Sequence, residues 1–316
     1  MESDIATIMI NWNAKAHLAN CLDSLSKTGD GYSREIVVVD NGSTDGSCEL
    51  VKERFPDVTL IQNDTNLGFA RANNIAIRAS DSRYVCLVNS DIIVQDGCIE
   101  KLLRFMDDNP NVGMAGPRIL NPDGTLQVSC RHFPSIWNNL CQVFGLNYLF
   151  PGSRLFAEPL MKYWAHDTTR TVDVLSGCFW IVRREALDRV GLLDEDFFFY
   201  GEDVDWCRRF RDAGWDVVFY PEAAAIHDHA ASSKKDPIRF FIELHKADLQ
   251  YWQKHHGRIG RWIYVCIILL RHGLRLPLFA AVYFLRPGMR EQTHFKIRRN
   301  WACLRWLALS RYGHAE

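Results

Sequence analysis

Short apolar runs alternate with amphipathic stretches along the first 120 residues. Ile5 to Ile10 reads as a strand, followed by a polar turn and an amphipathic helix from Leu18 to Leu25. Glu35 to Val39 is a second apolar run, ending at Asp40, and Cys48 to Phe55 reads as helix. Val58 to Gln62 predicts a strand, Phe69 to Ala79 a helix, Tyr84 to Val88 a strand and Ile99 to Met106 a helix. Strands and helices in this order build a mostly parallel sheet covered by helices. Ligands of such sheets sit beyond the carboxyl ends of the strands, where Asp40 and Asp91 fall.

From about 120 to 175 the periodicity weakens. Pro122, Pro134, Pro151 and Pro159 punctuate it and aromatics are frequent, so an irregular insertion beside a substrate cleft is expected. Val172 to Val182 reads as a strand interrupted by Gly177, and Arg183 to Val190 as a short helix. Val204 to Ala213 predicts a helix stopped by Gly214, and Trp215 to Tyr220 a strand. Beyond Pro237 the chain reads as helical to its end. The expected organisation is a catalytic-type α/β domain over 1–236 and a helical segment over 237–316.

Charge sharpens that division. Residues 254–316 hold 12 Lys and Arg against 2 acidic residues, so the segment carries +10 and the rest of the chain −11. A basic, aromatic-rich tail on an acidic body suggests a surface-binding appendage. Its basic residues are interleaved with long aliphatic runs, which argues against nucleic acid as partner. The ten Cys form no CxxC pair, which argues against a zinc knuckle or a disulfide framework and fits a reducing cytosol. The acidic start Met1-Glu2-Ser3-Asp4 does not read as a signal peptide. The longest apolar stretch, Trp262 to Leu270, is cut by Arg271, His272 and Arg275 before it reaches the length of an uncharged spanning helix.

Two acidic sites carry the candidate chemistry. Asn89-Ser90-Asp91 follows an uncharged apolar run. An Asp there is well placed to hold a divalent cation on a diphosphate, although a strand-end turn would use the same residues. Gly201-Glu202-Asp203-Val204-Asp205 follows Phe197-Phe198-Phe199-Tyr200. A carboxylate in an apolar, aromatic setting can accept a proton near neutrality. The helix macrodipole accounts for one or two such acids, but not for the aromatic run before them, which suits stacking on a sugar ring.

Three further segments are polar at strand or helix ends. Asp40-Asn41-Gly42-Ser43-Thr44-Asp45-Gly46 reads either as a loop for a nucleotide base and ribose or as a capped strand-to-helix turn. Asn66-Leu67-Gly68-Phe69-Ala70-Arg71 opens a helix whose N-terminus attracts anions, with Arg71 available to a phosphate. His227 and His229, two apart on an extended segment, point the same way and allow metal binding. A His ligand leans toward Mn²⁺ over Mg²⁺.

Together these segments resemble the family 2 glycosyltransferases with a GT-A fold, and most of all bacterial rhamnosyltransferases of cell-surface polysaccharide assembly. The matching stretches are Ile10-Asn11-Trp12-Asn13, Val38 to Gly46, Asn66 to Asn74, Leu87 to Asp91, Ser176-Gly177-Cys178-Phe179 and Tyr200 to Asp205, in register over roughly 5–235. The resemblance implies an inverting transfer of a sugar to a hydroxyl of a glycan or lipid-linked glycan, with L-rhamnose from dTDP-rhamnose as the first expectation and a UDP- or GDP-sugar donor of the same fold as the alternative. It implies that Asn11, Asp40, Asn41, Asn66, Gly68, Arg71, Asn89, Ser90, Asp91 and Gly177 line the nucleotide-sugar site, with Asp40 on the base. Asp91 and His227 would bind a divalent cation, Mg²⁺ or Mn²⁺, with His229 as the substitute for His227. Asp203 would be the catalytic base, with Glu202 beside it. The acidic motif begins with Asn89 where relatives often have Asp, so Asp91 bears the charge almost alone. Asp228-His229-Ala230-Ala231 stands where relatives are often glycine-rich. No QxxRW motif is present, so a processive synthase is not expected.

The expected partners are thus a nucleotide sugar, a glycan or lipid-linked acceptor, and the inner face of the cytoplasmic membrane through the C-terminal helices. Those helices could instead pack on the catalytic body or form a homo-oligomer. Two other function classes fit the residues less well. A nucleotidyltransferase would carry a Gly-rich, basic loop after the first strand, and Asn11-Trp12-Asn13-Ala14-Lys15 lacks one. A non-catalytic carbohydrate-binding protein would have no need of both Asp91 and Asp203.

Overall fold

A computed structural model describes residues 3–28, 31–156, 161–198, 200–228 and 236–309. The chain divides into two compact units, Met1–Phe133 with Pro159–Ala230, and Pro134–Glu158 with Ala231–Glu316. The segment Pro134–Glu158 therefore groups with the C-terminal helices, whereas the sequence pattern draws one boundary after residue 236.

The first unit opens with β1 (Ile5–Asn11), α1 (Lys15–Leu25), β2 (Arg34–Asp40), α2 (Ser47–Arg54), β3 (Thr59–Gln62), α3 (Phe69–Ala79) and β4 (Tyr84–Asn89). It continues with β5 (Ile92–Val94), α4 (Cys98–Asp108), β6 (Val112–Leu120) and β7 (Cys130–Arg131). Then α5 (Ile136–Val143) and α6 (Leu146–Leu149) belong to the second unit. The first unit resumes with β8 (Arg170–Thr171), β9 (Val174–Leu175), β10 (Phe179–Arg183), α7 (Arg184–Val190), α8 (Glu202–Asp212) and β11 (Asp216–His227).

One sheet takes the order β3-β2-β1-β4-β10-β6-β11-β5, with β8 also on β11. The pairings set β3, β2, β1, β4, β6 and β11 in one direction, with β10, β5 and β8 opposed. The sheet is mixed and mostly parallel. Alternate residues of each strand feed different cores: Met9, Val38 and Cys86 pack with Leu102 and Met106 on one face. Ile8, Val37, Val39 and Leu87 pack with Trp180, Trp206 and Phe210 on the other. Burial on both faces is why these strands read as unbroken apolar runs.

Three differences from the sequence pattern matter. Strand β6 contains Gly113, Gly116 and Pro117, which hide it. Gly113 is a packing requirement, because a Cβ there would lie 2.8 Å from Trp215 Cβ and 2.9 Å from Phe210. Strand β11 does not stop at Tyr220. It passes Pro221 through a register shift between Tyr220 and Ala224 and ends at His227. Proline needs no ladder partner in such a bulge. The predicted strand over 172–182 is two strands, β9 and β10, parted at residues 176–178.

The second unit is helical. Its long helix α9 (Pro237–Leu285) starts at Asp236, whose side chain accepts from Arg239 N at 3.1 Å. Gly257 breaks the helix with φ 64° and ψ −163°. A 3₁₀ turn (Pro287–Met289) leads to α10 (Arg290–Leu309). By length and composition alone α9 could cross a membrane, with 22% of its most apolar stretch buried. Arg271 Nη2 donates to Gln142 Oε1 of α5 at 2.7 Å and Arg275 Nη2 to Gln142 O at 3.2 Å, so both arginines have partners within the unit.

Candidate active site

The parallel registers line up the polar ends of the strands. Asn11 pairs with Asp40, Ile10 with Asn89, and Asp40 with Gln62. Adjacent carboxyl ends therefore carry Asp40, Asn11 and Asn89 in a row. Asn11 is fully buried, and its Nδ2 donates to Asp40 Oδ2 at 2.8 Å and Ser43 Oγ at 3.1 Å. Asp40 Oδ1 accepts Ser43 N at 2.8 Å. These bonds fix the loop after β2, and each Asp40 oxygen keeps a second lone pair. Asn41 extends the network: its Oδ1 accepts from Asn63 Nδ2 at 2.9 Å, and its Nδ2 donates to Gly68 O at 3.3 Å. Asn66 Oδ1 accepts Gly68 N at 2.9 Å. Gly68 adopts φ 81°, and a Cβ there would meet Phe198 O at 2.9 Å. Arg71 lies 3.8 Å from Glu195 and is largely exposed.

The metal-type pair forms by sheet geometry. Strand β5 is antiparallel to β11, with Ile92 opposite His227. Asp91, one residue earlier, must then lie beside the end of β11, and its carbonyl accepts Asp228 N at 3.0 Å. Asp91 Oδ1 lies 3.2 Å from His227 Nε2. His227 Nδ1 lies 2.6 Å from Gln127 Oε1, and Gln127 Nε2 donates to Asn121 Oδ1 at 2.9 Å. That second bond fixes the Gln127 amide, so Nδ1–H of His227 donates to it and Nε2 is the ring nitrogen that faces Asp91. A metal-bound imidazole usually has such an outer partner on its other ring nitrogen. One carboxylate oxygen and one imidazole nitrogen fit a divalent cation that takes its other ligands from a diphosphate and water. His229 lies outside the described residues.

The second acidic site sits at the start of α8. Tyr200 (φ 66°) and Gly201 (φ 86°) are consecutive left-handed residues that turn the chain into the helix. An aromatic residue there is strained, a feature that clusters at functional sites. The three carboxylates separate by role. Asp205 is fully buried and accepts Arg209 Nε at 2.8 Å, while Arg209 also caps Val190 O and Leu192 O, so this pair is structural. Asp203 is bonded through Oδ2 to Arg131 Nη2, and its Oδ1 accepts Val204 N at 2.8 Å. Glu202 has a buried Oε2 without a hydrogen-bond partner among the described residues. Gly177 gives room here: a Cβ would lie 3.1 Å from the Trp180 ring and 3.6 Å from Asp203 Cβ. Of the aromatic run, Phe197 is core and Phe198 is half exposed, while Phe199 lies outside the described residues.

Cys178 lies between the two acidic sites. Burial first, then Asp91 and Asp203, push its thiol up to about 12. Burial, then repulsion from Asp203, pushes Glu202 up to about 8. Because its folded-state pKa lies above the ordinary 4.5, Glu202 holds a proton in the folded chain that the unfolded chain has lost. The stability contributed is present at low pH and is lost as pH rises through that window. Glu202→Gln, neutral throughout, should raise Tm by roughly 2–4 °C near pH 9 and change it little near pH 5. Thermal melts at the two pH values test this, and an equal effect at both would show that Glu202 does not titrate in the window.

Gln127 and Arg131 gave no signal in the sequence. Both fall in the aperiodic stretch after residue 120, where no spacing marks a partner of His227 or Asp203.

Comparison with known proteins agrees with this architecture. The family model described as "Glycosyl transferase family 2" matches residues 7–191. The chain is 31% identical over 311 residues to an N-acetylglucosaminyl-diphospho-decaprenol L-rhamnosyltransferase of Mycobacterium tuberculosis, covering 94% of this chain and 98% of the relative. It is 26% identical over 273 residues to the dTDP-rhamnosyl transferase RfbF of Shigella flexneri, covering 81% and 82%. Among solved structures, the mannosyltransferase PcManGT from Pyrobaculum calidifontis, in complex with GDP-Man and Mn²⁺, superposes with a TM-score of 0.55 at 16% identity. That match covers 96% of this chain and 86% of the other. The fold is GT-A, as the sequence resemblance implies. The chain belongs to glycosyl transferase family 2 and is a glycosyltransferase, with rhamnosyltransferases among its relatives.

Proposed function

We propose that this glycosyltransferase moves L-rhamnose from dTDP-rhamnose to a hydroxyl of a glycan or lipid-linked glycan, by a single displacement that inverts the anomeric carbon. The observation that carries the reading is the pairing of Asp91 with His227, whose other ring nitrogen is bonded to Gln127, near a separate buried carboxylate at Asp203. The names of two relatives, an L-rhamnosyltransferase and a dTDP-rhamnosyl transferase, favour rhamnose and dTDP.

In this reading Asp40 accepts the imide N–H of the thymine base, and Asn11 and Asn41 hold the loop that presents it. Asp91 and His227 hold a divalent cation, and PcManGT, of the same fold, was solved with Mn²⁺. When bound, the cation supplies positive charge to the departing diphosphate. Asp203 takes the proton of the acceptor hydroxyl as that oxygen attacks. Arg131, bonded to Asp203, fixes its orientation. Arg71, with Glu195 beside it, is the side chain nearest in sequence to the α3 N-terminus that could also meet phosphate.

A thermal-shift screen against dTDP, UDP and GDP, each with and without Mn²⁺ or Mg²⁺, tests the donor site. At a ligand concentration 100-fold above Kd, binding to the folded state adds about 2.7 kcal/mol. The expected result is a metal-dependent rise of roughly 2–4 °C that is largest with dTDP. A larger shift with GDP or UDP would reassign the donor, and no shift with any nucleotide would favour a non-catalytic carbohydrate-binding protein.

The second unit is proposed to lie on the inner face of the cytoplasmic membrane, where a lipid-linked acceptor would be met. Trp262, Leu269, Leu270, Leu274 and Leu278 are exposed on α9, with Arg258 and Arg261 exposed before them. An apolar stripe beside arginines suits an interface with anionic headgroups. Co-sedimentation with anionic vesicles should be strong at low salt and fall at least tenfold in Trp262→Glu/Leu270→Glu. Equal sedimentation of the variant would favour packing or self-association of these helices instead.

A further inference from the structure

The helical unit gathers three metal-binding side chains that the transfer reaction does not use. Gly257 breaks α9, and the rings of Trp252 and Tyr264 stack across the break at 5.9 Å and 10°. The fold-back brings His245, from the first half of α9, to His272, from the second, with ring centroids 5.2 Å apart at 86°. Cys303 of α10 completes the group. One donor atom from each residue lies within 4.8 Å of the other two, and all three residues are buried.

The tautomers are set by neighbours. Tyr264 donates its hydroxyl to Asp248 Oδ2 at 2.6 Å, so at 3.1 Å it accepts Nδ1–H of His245. Asn300 Nδ2 donates to Lys296 O at 2.6 Å, which turns its Oδ1 toward His272 Nδ1 at 2.5 Å, where it accepts N–H. Each imidazole thus spends its proton on Nδ1 and keeps a bare lone pair on Nε2. Neither Nε2 has a hydrogen-bond partner among the described residues. A buried acceptor with no donor is costly and calls for an occupant. The Asp248–Tyr264–His245 chain and the Asn300–His272 pair are the outer supports that metal-bound imidazoles carry.

We propose that His245 Nε2, His272 Nε2 and Cys303 Sγ bind one Zn²⁺, which staples the two halves of α9 to α10. Two imidazoles and a thiolate are the donor set of a borderline-soft d¹⁰ cation, and Mg²⁺ or Mn²⁺ would prefer oxygen. Zinc bonds of about 2.0–2.3 Å require donor atoms about 3.5 Å apart, inside the 4.8 Å within which the three donors lie. Cys303 binds as thiolate and its thiol proton leaves to solvent. The nearby Arg271 guanidinium favours that thiolate, and Asp248, through Tyr264, offsets part of the cation's charge. The ligands are 27 and 31 residues apart in sequence, which is why no cysteine spacing marks the site.

Elemental analysis of the full chain, purified without chelator and dialysed against metal-free buffer, tests the site. About one zinc per chain is expected in the wild type and in Asp91→Ala, which removes the carboxylate proposed for the other cation. Less than a tenth of an equivalent is expected in Cys303→Ala and His272→Gln. Because those variants could unfold, Co²⁺ is exchanged into the wild-type chain as a second readout. A thiolate-to-cobalt charge-transfer band should appear, and adding Zn²⁺ should abolish it. A folded wild-type chain with no zinc and no cobalt–thiolate band overturns the proposal. So does zinc that is lost in Asp91→Ala but kept in Cys303→Ala, and so does copper in place of zinc.

Discussion

Asp203→Asn lowers kcat by a factor on the order of 10² to 10⁴ and leaves the affinity for dTDP near the wild-type value. The asparagine keeps the shape of the side chain and can still accept Val204 N, but it cannot take a proton from the acceptor. The choice of Asp203 over Glu202 rests on charge. Arg131 is bonded directly to Asp203 and orients it. Glu202 has no hydrogen-bond partner at its buried Oε2 among the described residues, and burial, then repulsion from Asp203, pushes it up to about 8, so it carries a proton at neutral pH. Steady-state rates and dTDP affinity, measured on both Asp203→Asn and Glu202→Gln, separate the two. If Asp203→Asn turns over like wild type while Glu202→Gln loses 10²-fold or more, the base is Glu202. A fall of both kcat and dTDP affinity in Asp203→Asn would place Asp203 in the donor site.

Much of the catalytic half is legible in the sequence because its strands are buried on both faces. Ile5 to Ile10, Glu35 to Val39 and Tyr84 to Val88 are apolar runs with polar ends, and those ends are the row of Asp40, Asn11 and Asn89. What the sequence hides is set by long-range packing. β5 is three residues long, too short for a period, yet its pairing with β11 brings Asp91 to His227. β6 looks like a loop because of its glycines, of which Trp215 and Phe210 require Gly113. Pro221 looks like a strand end and is a bulge within β11. Gln127 and Arg131 contact their partners across 100 and 72 residues, a distance no local pattern encodes. The acidic run at α8 misleads in the opposite way, since Asp205 stands beside the candidate base in sequence but is tied up by Arg209.

Asp91→Ala removes the only carboxylate of the acidic motif, since Asn89 carries no charge, and so should abolish the Mn²⁺ dependence of dTDP binding. A partner with two acidic residues would retain part of its metal affinity after such a change. Here the remaining ligand is one neutral imidazole, too weak alone for a hard, oxygen-preferring cation. Calorimetric titration of dTDP with and without Mn²⁺ should show tighter binding with metal in the wild type and equal, weak binding in Asp91→Ala. His227→Ala should give the same pattern in milder form. Gln127→Leu, which removes the acceptor bonded to His227 Nδ1, should weaken Mn²⁺ by about 10- to 100-fold. The graded order is the test: Asp91→Ala most severe, then His227→Ala, then Gln127→Leu. If Asp91→Ala keeps the full Mn²⁺ effect on dTDP, the cation is held elsewhere, and the contact between Asp91 and His227 is a local ion pair that closes the end of β11.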